Sequence, residues 1–414
     1  MAEGRNNLIS RVGYFFVYGG LSACKPYYIL LLKDKGFSER TAGYMLVLLP
    51  LSSLVALSPL ALAADRFHCA REIMFCGGAL TCLSFIVLIF LSNPSTALVT
   101  FLLFFHFLGI CPLFPFFDNR VLSTLTEDRR KEWGSLRCFG SFGWGLCSAL
   151  SYTLKGLWGW WVSALFLVVG LAIAMGAYVR IEPRSTAPPT KRNFIEVLQY
   201  VSHHRRTVAF LLTACLSGFG YTLISSFLPA FLQSIEASSF LQGLAVTMTV
   251  VAEIPIFHYA GFIHNRLTDR QLLAISLLGW SFRALCYAVL YNPWLVLLIE
   301  PLHGVSFGCM WLAGIHFVNG SFPANLSHSA IGFLGAAVFG VGPVVGNALG
   351  GEMYGSWTPR WMYARMALVI ALASVAFYIV DRKLEASELA EAHEIVIEGD
   401  ELSNRTVSKQ SGED

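Results

Sequence analysis

The chain has 414 residues, of which 55% are hydrophobic, 14% aromatic and only 13% charged. A soluble domain carries about 25% charged residues, so these proportions exclude a water-soluble globule and indicate a polytopic membrane protein. The formal net charge of +3 is too small to argue for a nucleic-acid partner, which is held by clustered positive charge.

About 20 apolar residues cross the hydrocarbon core of a bilayer, and twelve segments of that length follow one another. The first ten residues are polar, and the run 10–32 that follows is long enough to span, so it reads as a first helix rather than a cleaved signal. Tyr14, Tyr18, Ser22 and Lys25 recur along it at helical spacing. Segments 40–64, 71–92 and 95–125 come next, the last carrying His106, Asp118 and Arg120. The fifth, 133–154, holds Arg137, and the sixth is 157–180.

The polar connection 181–206 opens with EPRSTAPPTKR, which cannot be a spanning helix. Phe194, Val197, Leu198 and Val201 follow at helical spacing, predicting a short amphipathic helix on the membrane surface. This linker separates an N-terminal six-helix bundle, 1–180, from a C-terminal one, 207–381. In the second bundle, segment 207–233 aligns Ser217, Tyr221 and Ser225, segment 238–263 carries Glu253, and 271–291 carries Arg283. The stripe Glu300, His303, Phe307 and Trp311 lies on 293–320, and 325–350 and 360–381 complete the count. The tail 382–414 is polar and acidic, expected to be disordered or weakly helical. Ten scattered cysteines without a CxxC pair read as apolar packing residues.

The halves echo one another at an offset near 200 residues. Asp65-Arg66 matches Asn265-Arg266, Asn93-Pro94 matches Asn292-Pro293, and His106 matches His303 in depth. The predicted fold is an all-α membrane protein with twelve transmembrane helices in two six-helix pseudo-repeats.

Orientation follows from loop charge. One side holds Arg5, Arg11, Arg66, Arg71, Arg129, Arg130, Lys131, Arg180, Arg184, Lys191, Arg192, Arg205, Arg206, Arg266, Arg270, Arg382 and Lys383. The other holds Lys33, Lys35, Arg40, Lys155, Arg360 and Arg365. Both termini are therefore expected in the cytoplasm.

The chemistry lies in charges stranded within apolar runs. Asp118, Glu253 and Glu300 are too short to reach headgroups, so each must be paired, solvated or protonated. Snorkelling would also explain Arg137, Arg120 or Lys25. By depth, Glu253, Arg283, Glu300 and His303 should meet near the midplane, with Lys25 in reach, while Asp118 and Arg120 should face Arg137. A shielded carboxylate that takes and gives a proton as the protein changes shape couples proton flow to solute movement. No Walker motif, metal-ligand spacing or nucleophile motif is present, so neither an ATP-driven pump nor an enzyme is indicated.

Several motifs carry a resemblance. The run 133–145, WGSLRCFGSFGWG, pairs small residues with Arg137; Ala252-Glu253-Ile254-Pro255 and Leu302-His303-Gly304 follow on the eighth and tenth helices, with Arg283 between them. Together they resemble the major facilitator superfamily, specifically the branch of lactose-permease-like, nucleoside–proton and phenylpropionate–proton symporters and their eukaryotic relatives. The superfamily's loop signature after the second helix is degenerate, with Asp65-Arg66 kept. The resemblance implies that Asp118 and Arg137 bind substrate, that Glu253 joins substrate to proton binding, and that Arg283 and Glu300 form a couple. Glu300 departs from the branch, whose members often carry a neutral amide there. Lys25 is also unusual; the two compensate each other or mark a charged substrate.

The expectation is a proton-coupled symporter of a small organic solute (sugar, nucleoside or aromatic acid), working by alternating access as a monomer in the plasma membrane. Its substrate-binding candidates are Asp118, Arg137, Tyr14, Tyr18, Lys25, Tyr221, His303 and Trp311, the aromatic ones stacking on the solute. Its proton-coupling candidates are Glu253, Arg283, Glu300 and Asp118. No metal or cofactor is expected beyond the proton, and the partners are the solute and membrane lipid. The rivals are an uncoupled facilitator and a receptor or scaffold of the same fold without transport.

Overall fold

The computed structural model describes residues 2–126, 129, 132–182, 194–323 and 326–410. Helices dominate, with no strand among the described residues. Eleven spans have the length and composition to cross a membrane. In the first half these are α1 (Gly4–Asp34), α2 (Glu39–Phe67), α3 (Ala70–Phe90), α4 (Thr96–Leu122) and α6 (Trp161–Arg180). The second half has α7 (Arg205–Ser234), α8 (Ser239–His258), α9 (Asp269–Ala288), α10 (Pro293–Ser321), α11 (Ser329–Ser356) and α12, which begins at Pro359.

The twelfth long helix, α5 (Trp133–Trp158), has 26 residues but is rich in Gly and Ser and carries Arg137. Its lower apolarity has a packing cause. A Cβ on Gly143 would stand 2.1 Å from the Phe15 carbonyl, and one on Gly140 would stand 2.8 Å from the Tyr18 ring. The glycines let α5 lie directly against α1. Twelve helices put both chain ends on one face, termed basal here, opposite a distal face. Leu62, Phe90, Leu298 and Leu368 are among the large apolar side chains left on the outside, as lipid contact requires.

At three prolines the spans are irregular. Pro26 has no N–H to offer the Ser22 carbonyl, so α1 passes through a tight turn, Lys25–Tyr27, and resumes at Tyr28. Helix α4 is interrupted next to Pro112. Helix α10 breaks beside Pro301 and then widens into a π-turn, Gly304–Gly308. Lys25, Asp118 and Glu300 all lie at or within a few residues of these interruptions.

The linker stretch 183–193 falls outside the described residues. The helix predicted after it is present (Phe194–His203), but it does not simply lie on lipid. Val197 and Val201 are buried against Phe210, Phe317 and Phe322 of the C-terminal bundle, while Leu198 faces outward. Of the two alternatives for the tail, the structure has the helical one: α12 continues as helix to Gln410. Leu, Glu and Ala dominate residues 384–391, and all three are strong helix formers. The first turns of this extension are held at the basal face. Asp381, almost fully buried, accepts from Arg206 Nε at 3.0 Å and Arg270 Nε at 2.6 Å, and Glu385 pairs with both arginines.

Two main seams join the halves, beside a smaller contact of α1 with α7. Helix α2 meets α11, where a Cβ on Gly43 would lie 2.5 Å from Gly351 Cα, and Arg40 reaches Glu352 at 3.0 Å. Helix α5 meets α8, where Thr247 Oγ1 donates to the Gly145 carbonyl at 2.9 Å and Gly243 abuts Ala149. Both seams run from mid-membrane to the distal face, and no comparable seam joins the basal ends among the described residues.

Two outcomes follow. Asp381→Ala removes the buried one of the two carboxylates that Arg206 and Arg270 share, so the thermal midpoint of the detergent-solubilised protein falls; Glu385→Ala, at the more exposed carboxylate, lowers it less. Gly43→Leu wedges the α2–α11 seam apart. Spin labels replacing Arg66 and Arg266, at the basal ends of the two halves, then move closer by electron–electron distance measurement. An unchanged distribution would show that this seam does not set the distal closure.

Candidate functional site

Two polar clusters face one another across the halves. In the N-terminal half, Tyr14 donates to Asp118 Oδ1 at 2.7 Å and itself accepts from Trp133 Nε1 at 2.9 Å. Arg137 Nη2 donates to Tyr18 Oη at 2.9 Å, while its Nε stands 3.7 Å from Asp118, an ion pair without a hydrogen bond. Arg137 also lies over the Trp133 ring at 5.1 Å. The side chain of Arg137 is 44% exposed and that of Asp118 21%, so both face open space between the halves. Sequence reasoning placed Arg120 in this group. The structure instead turns it toward α6, where it lies 5.3 Å from the Tyr178 ring.

In the C-terminal half the polar side chains form a continuous chain of close contacts, hydrogen-bonded from Tyr287 to His303. Tyr287 donates to Glu300 Oε1 in a short hydrogen bond, and Arg283 Nη2 donates to Glu300 Oε2 at 3.0 Å. The other arm of Arg283, Nη1, reaches His303 Nδ1 at 3.0 Å, and His303 Nε2 reaches Glu253 Oε1 at 3.0 Å. Helix α10 approaches α8 closely enough for this because Gly304 and Gly308 have no side chain. A Cβ on Gly304 would stand 2.1 Å from the Ala252 carbonyl, and one on Gly308 would stand 2.5 Å from Ile256.

The bond to Arg283 settles the histidine's proton. A guanidinium has no acceptor, so Nδ1 of His303 must accept and the neutral ring carries its hydrogen on Nε2. Glu253 thus faces a neutral ring rather than a counter-charge. Arg283 and Glu300 cancel one another, deeply buried, whereas Glu253 is 22% exposed and has no cation within ion-pair distance among the described residues.

The remaining candidates are distributed around these clusters. Tyr221 packs edge-on to Trp280 with its ring 6.1 Å from His303, and Phe307 stacks between His303 and Trp311. Lys25 does not join Glu300. Its ammonium lies 5.9 Å from the Phe114 ring and 5.8 Å from the Trp144 ring, in the other half. Arg283 already satisfies Glu300, so compensation between Lys25 and Glu300 is ruled out in this conformation. His106, the positional echo of His303, is fully buried between Tyr28 Oη at 2.6 Å and the Thr81 carbonyl at 2.9 Å.

Sequence reasoning missed Tyr287, Phe114 and Trp144 as individual site residues. Tyr287 carried a usable signal, since it lies four residues after Arg283 and shares its helical face. The two rings carried none, because aromatic residues are common throughout these spans.

The MFS_1 like family profile matches residues 9–365. A probable 3-phenylpropionic acid transporter of Escherichia coli is 24% identical over 314 residues, covering 74% of this chain and 79% of that protein. The sucrose permease of Escherichia coli is 23% identical, covering 60% and 62%. The match to a major facilitator superfamily domain-containing protein 6-like protein of Xenopus laevis is 23% identical and spans 46% of this chain and 31% of that protein. Thus the chain matches about a third of the length of the Xenopus laevis relative. Among solved structures, a mutant of the nucleoside transporter NupG superposes with a TM-score of 0.75 at 15% identity, covering 93% of this chain and 100% of that one. The twelve-helix fold and the family profile agree: the chain is a multi-pass membrane protein and belongs to the MFS_1 like family of the major facilitator superfamily.

Proposed function

We propose that the chain is a proton-coupled symporter of a small organic solute, operating by alternating access. Asp118 and Arg137 hold the solute between the halves, with Tyr14 and Tyr18 bracing them, and Glu253 carries the proton. The observation that carries this reading is the relay Tyr287–Glu300–Arg283–His303–Glu253, in which every charge but one is cancelled. A carboxylate facing a neutral imidazole adds a net negative charge to a low-dielectric interior, and binding a proton removes it. Glu253 is partly exposed, so that proton can exchange with water on the open side.

The seams closed toward the distal face leave the basal side as the route of access in this conformation. The excess of Lys and Arg in the basal loops supports a cytoplasmic assignment for that face, with both termini, in a plasma membrane. Relatives described as transporters of 3-phenylpropionic acid, sucrose and nucleosides support a solute of that size.

The decisive experiment is solute addition to proteoliposomes with a pH electrode outside. Symport alkalinises the medium as solute enters. A facilitator moves solute with no pH change, and a receptor does neither. In the symporter, Glu253→Gln fixes the neutral form: uphill accumulation and the pH change are lost while solute exchange continues. Glu300→Gln has a different outcome. It strands Arg283 in the interior, and breaking a buried pair costs about 3–5 kcal/mol, so the thermal midpoint drops sharply before transport is considered.

A further inference from the structure

We infer that Lys25 is the anchor for a carboxylate on the solute, so that the transported species is a small organic monoanion with an apolar or aromatic body. This rests on the symport reading above and narrows it to a substrate class.

The first ground is the setting of the ammonium. The break at Pro26 interrupts α1, and Lys25 leaves the turn nine residues short of Asp34 at the distal end. His303 lies ten residues from Pro293 on α10. At about 1.5 Å per residue, both groups sit some 15 Å inside the distal face. The ammonium faces the Phe114 and Trp144 rings. Phe114 lies 4.3 Å from the Tyr18 ring, and Tyr18 accepts from Arg137. Lys25 is therefore one aromatic layer from the Arg137–Asp118 pair, on the same wall.

The second ground is that Lys25 has no hydrogen bond or ion pair among the described residues. Its neighbours nearer the surface behave otherwise. Lys33 pairs with Glu39 at 2.7 Å, and Lys35 donates to the Ile89 and Leu91 carbonyls at 2.6 Å each. Distal lysines in this chain find partners, and the one held at depth does not. Ring faces attract a cation but replace only part of what it loses on leaving water. An anion bound against Lys25 supplies the remainder, and the three rings supply an apolar bed for its body.

The third ground is charge balance. Asp118 with Arg137, and Glu300 with Arg283, are neutral pairs, and His303 is a neutral ring. The groups facing Glu253 are that ring and, behind it, Arg283 and Glu300, with Tyr221 on α7 beside the histidine. Among the described residues near the centre, two uncompensated charges remain: Lys25, positive, and Glu253, negative. The empty carrier sums to zero across the two halves. A bound monoanion cancels Lys25 and a bound proton cancels Glu253, so the fully loaded carrier also sums to zero. Loading either alone leaves one net charge in a low-dielectric centre, which disfavours the passage between open states. This produces obligatory coupling of one anion to one proton, with no net charge moved.

The test uses the full chain in proteoliposomes, with 3-phenylpropionate and benzoate as anionic probes, their amides as isosteric neutral controls, and uridine and sucrose as uncharged solutes. An inward proton gradient should drive uptake of an acid and not of its amide, and an imposed membrane potential should leave the rate unchanged. Lys25→Gln should reduce uptake about tenfold or more, the loss expected for one charged hydrogen bond, and Lys25→Arg should restore it. Should Lys25→Gln fail to fold, the native protein still decides. The acid must raise its thermal midpoint and the amide must not. Equal stabilisation by both, undiminished transport in Lys25→Gln, or proton-driven uptake of uridine or sucrose would overturn the carboxylate assignment while leaving symport intact. Proton-independent uptake of an acid that still requires Lys25 would keep the anchor and refute the symport reading. No uptake and no stabilisation by either acid would overturn the anchor.

Discussion

A charge carried into hydrocarbon must be cancelled by another charge or by hydrogen bonds, because there is no water to solvate it. The interior of this protein follows from that constraint. Arg283 distributes its guanidinium arms between Glu300, Tyr287 and His303, and this fixes the ring tautomer that Glu253 meets. The geometry depends in turn on backbone approach. Gly304 and Gly308 let α10 come against α8, and Gly279 lets α9 come against Ser306, where a Cβ would stand 2.8 Å from Oγ. Glycine at those positions and charge in the centre are two parts of one arrangement.

Helix irregularity is concentrated where the charges are. Pro26, Pro112 and Pro301 each interrupt a span, and Lys25, Asp118 and Glu300 lie within a few residues of the interruptions. Backbone freed in this way needs neighbours to satisfy it, which is tolerable in a membrane only where the segment is enclosed by protein or lines a polar space. The breaks therefore coincide with the segments that bring charge to the centre, and the spans α2 and α8 leave most of their surface outward.

The two halves repeat in architecture but not in chemistry. His106 and His303 occupy corresponding fourth helices. One is closed in by Tyr28 and the Thr81 carbonyl, and the other links Arg283 to Glu253. The N-terminal half carries an aromatic wall with two cations on it, Lys25 and Arg137. The C-terminal half carries the buried relay. An internal repeat of this kind supplies two similar frames, and divergence within it gives each half its own polar chemistry.

Much of this was legible in the residues. Span lengths and apolar runs determined twelve helices in two sixes, because a bilayer imposes its own thickness on the chain. Stranded acids and bases determined that something polar lies at the centre, and the motifs around Arg137, Glu253 and His303 pointed to its family. Spacing alone could not decide which charges meet. Depth matched Lys25 to Glu300 and Arg120 to Arg137, yet the lysine lies over Phe114 and Trp144 and Arg120 faces Tyr178. Pairing across helices depends on the rotation and depth of each span, and those are set by glycine contacts and proline breaks that act between elements. Only the packed structure decided that Glu253 and Lys25 are the two central charges left without an opposite charge among the described residues.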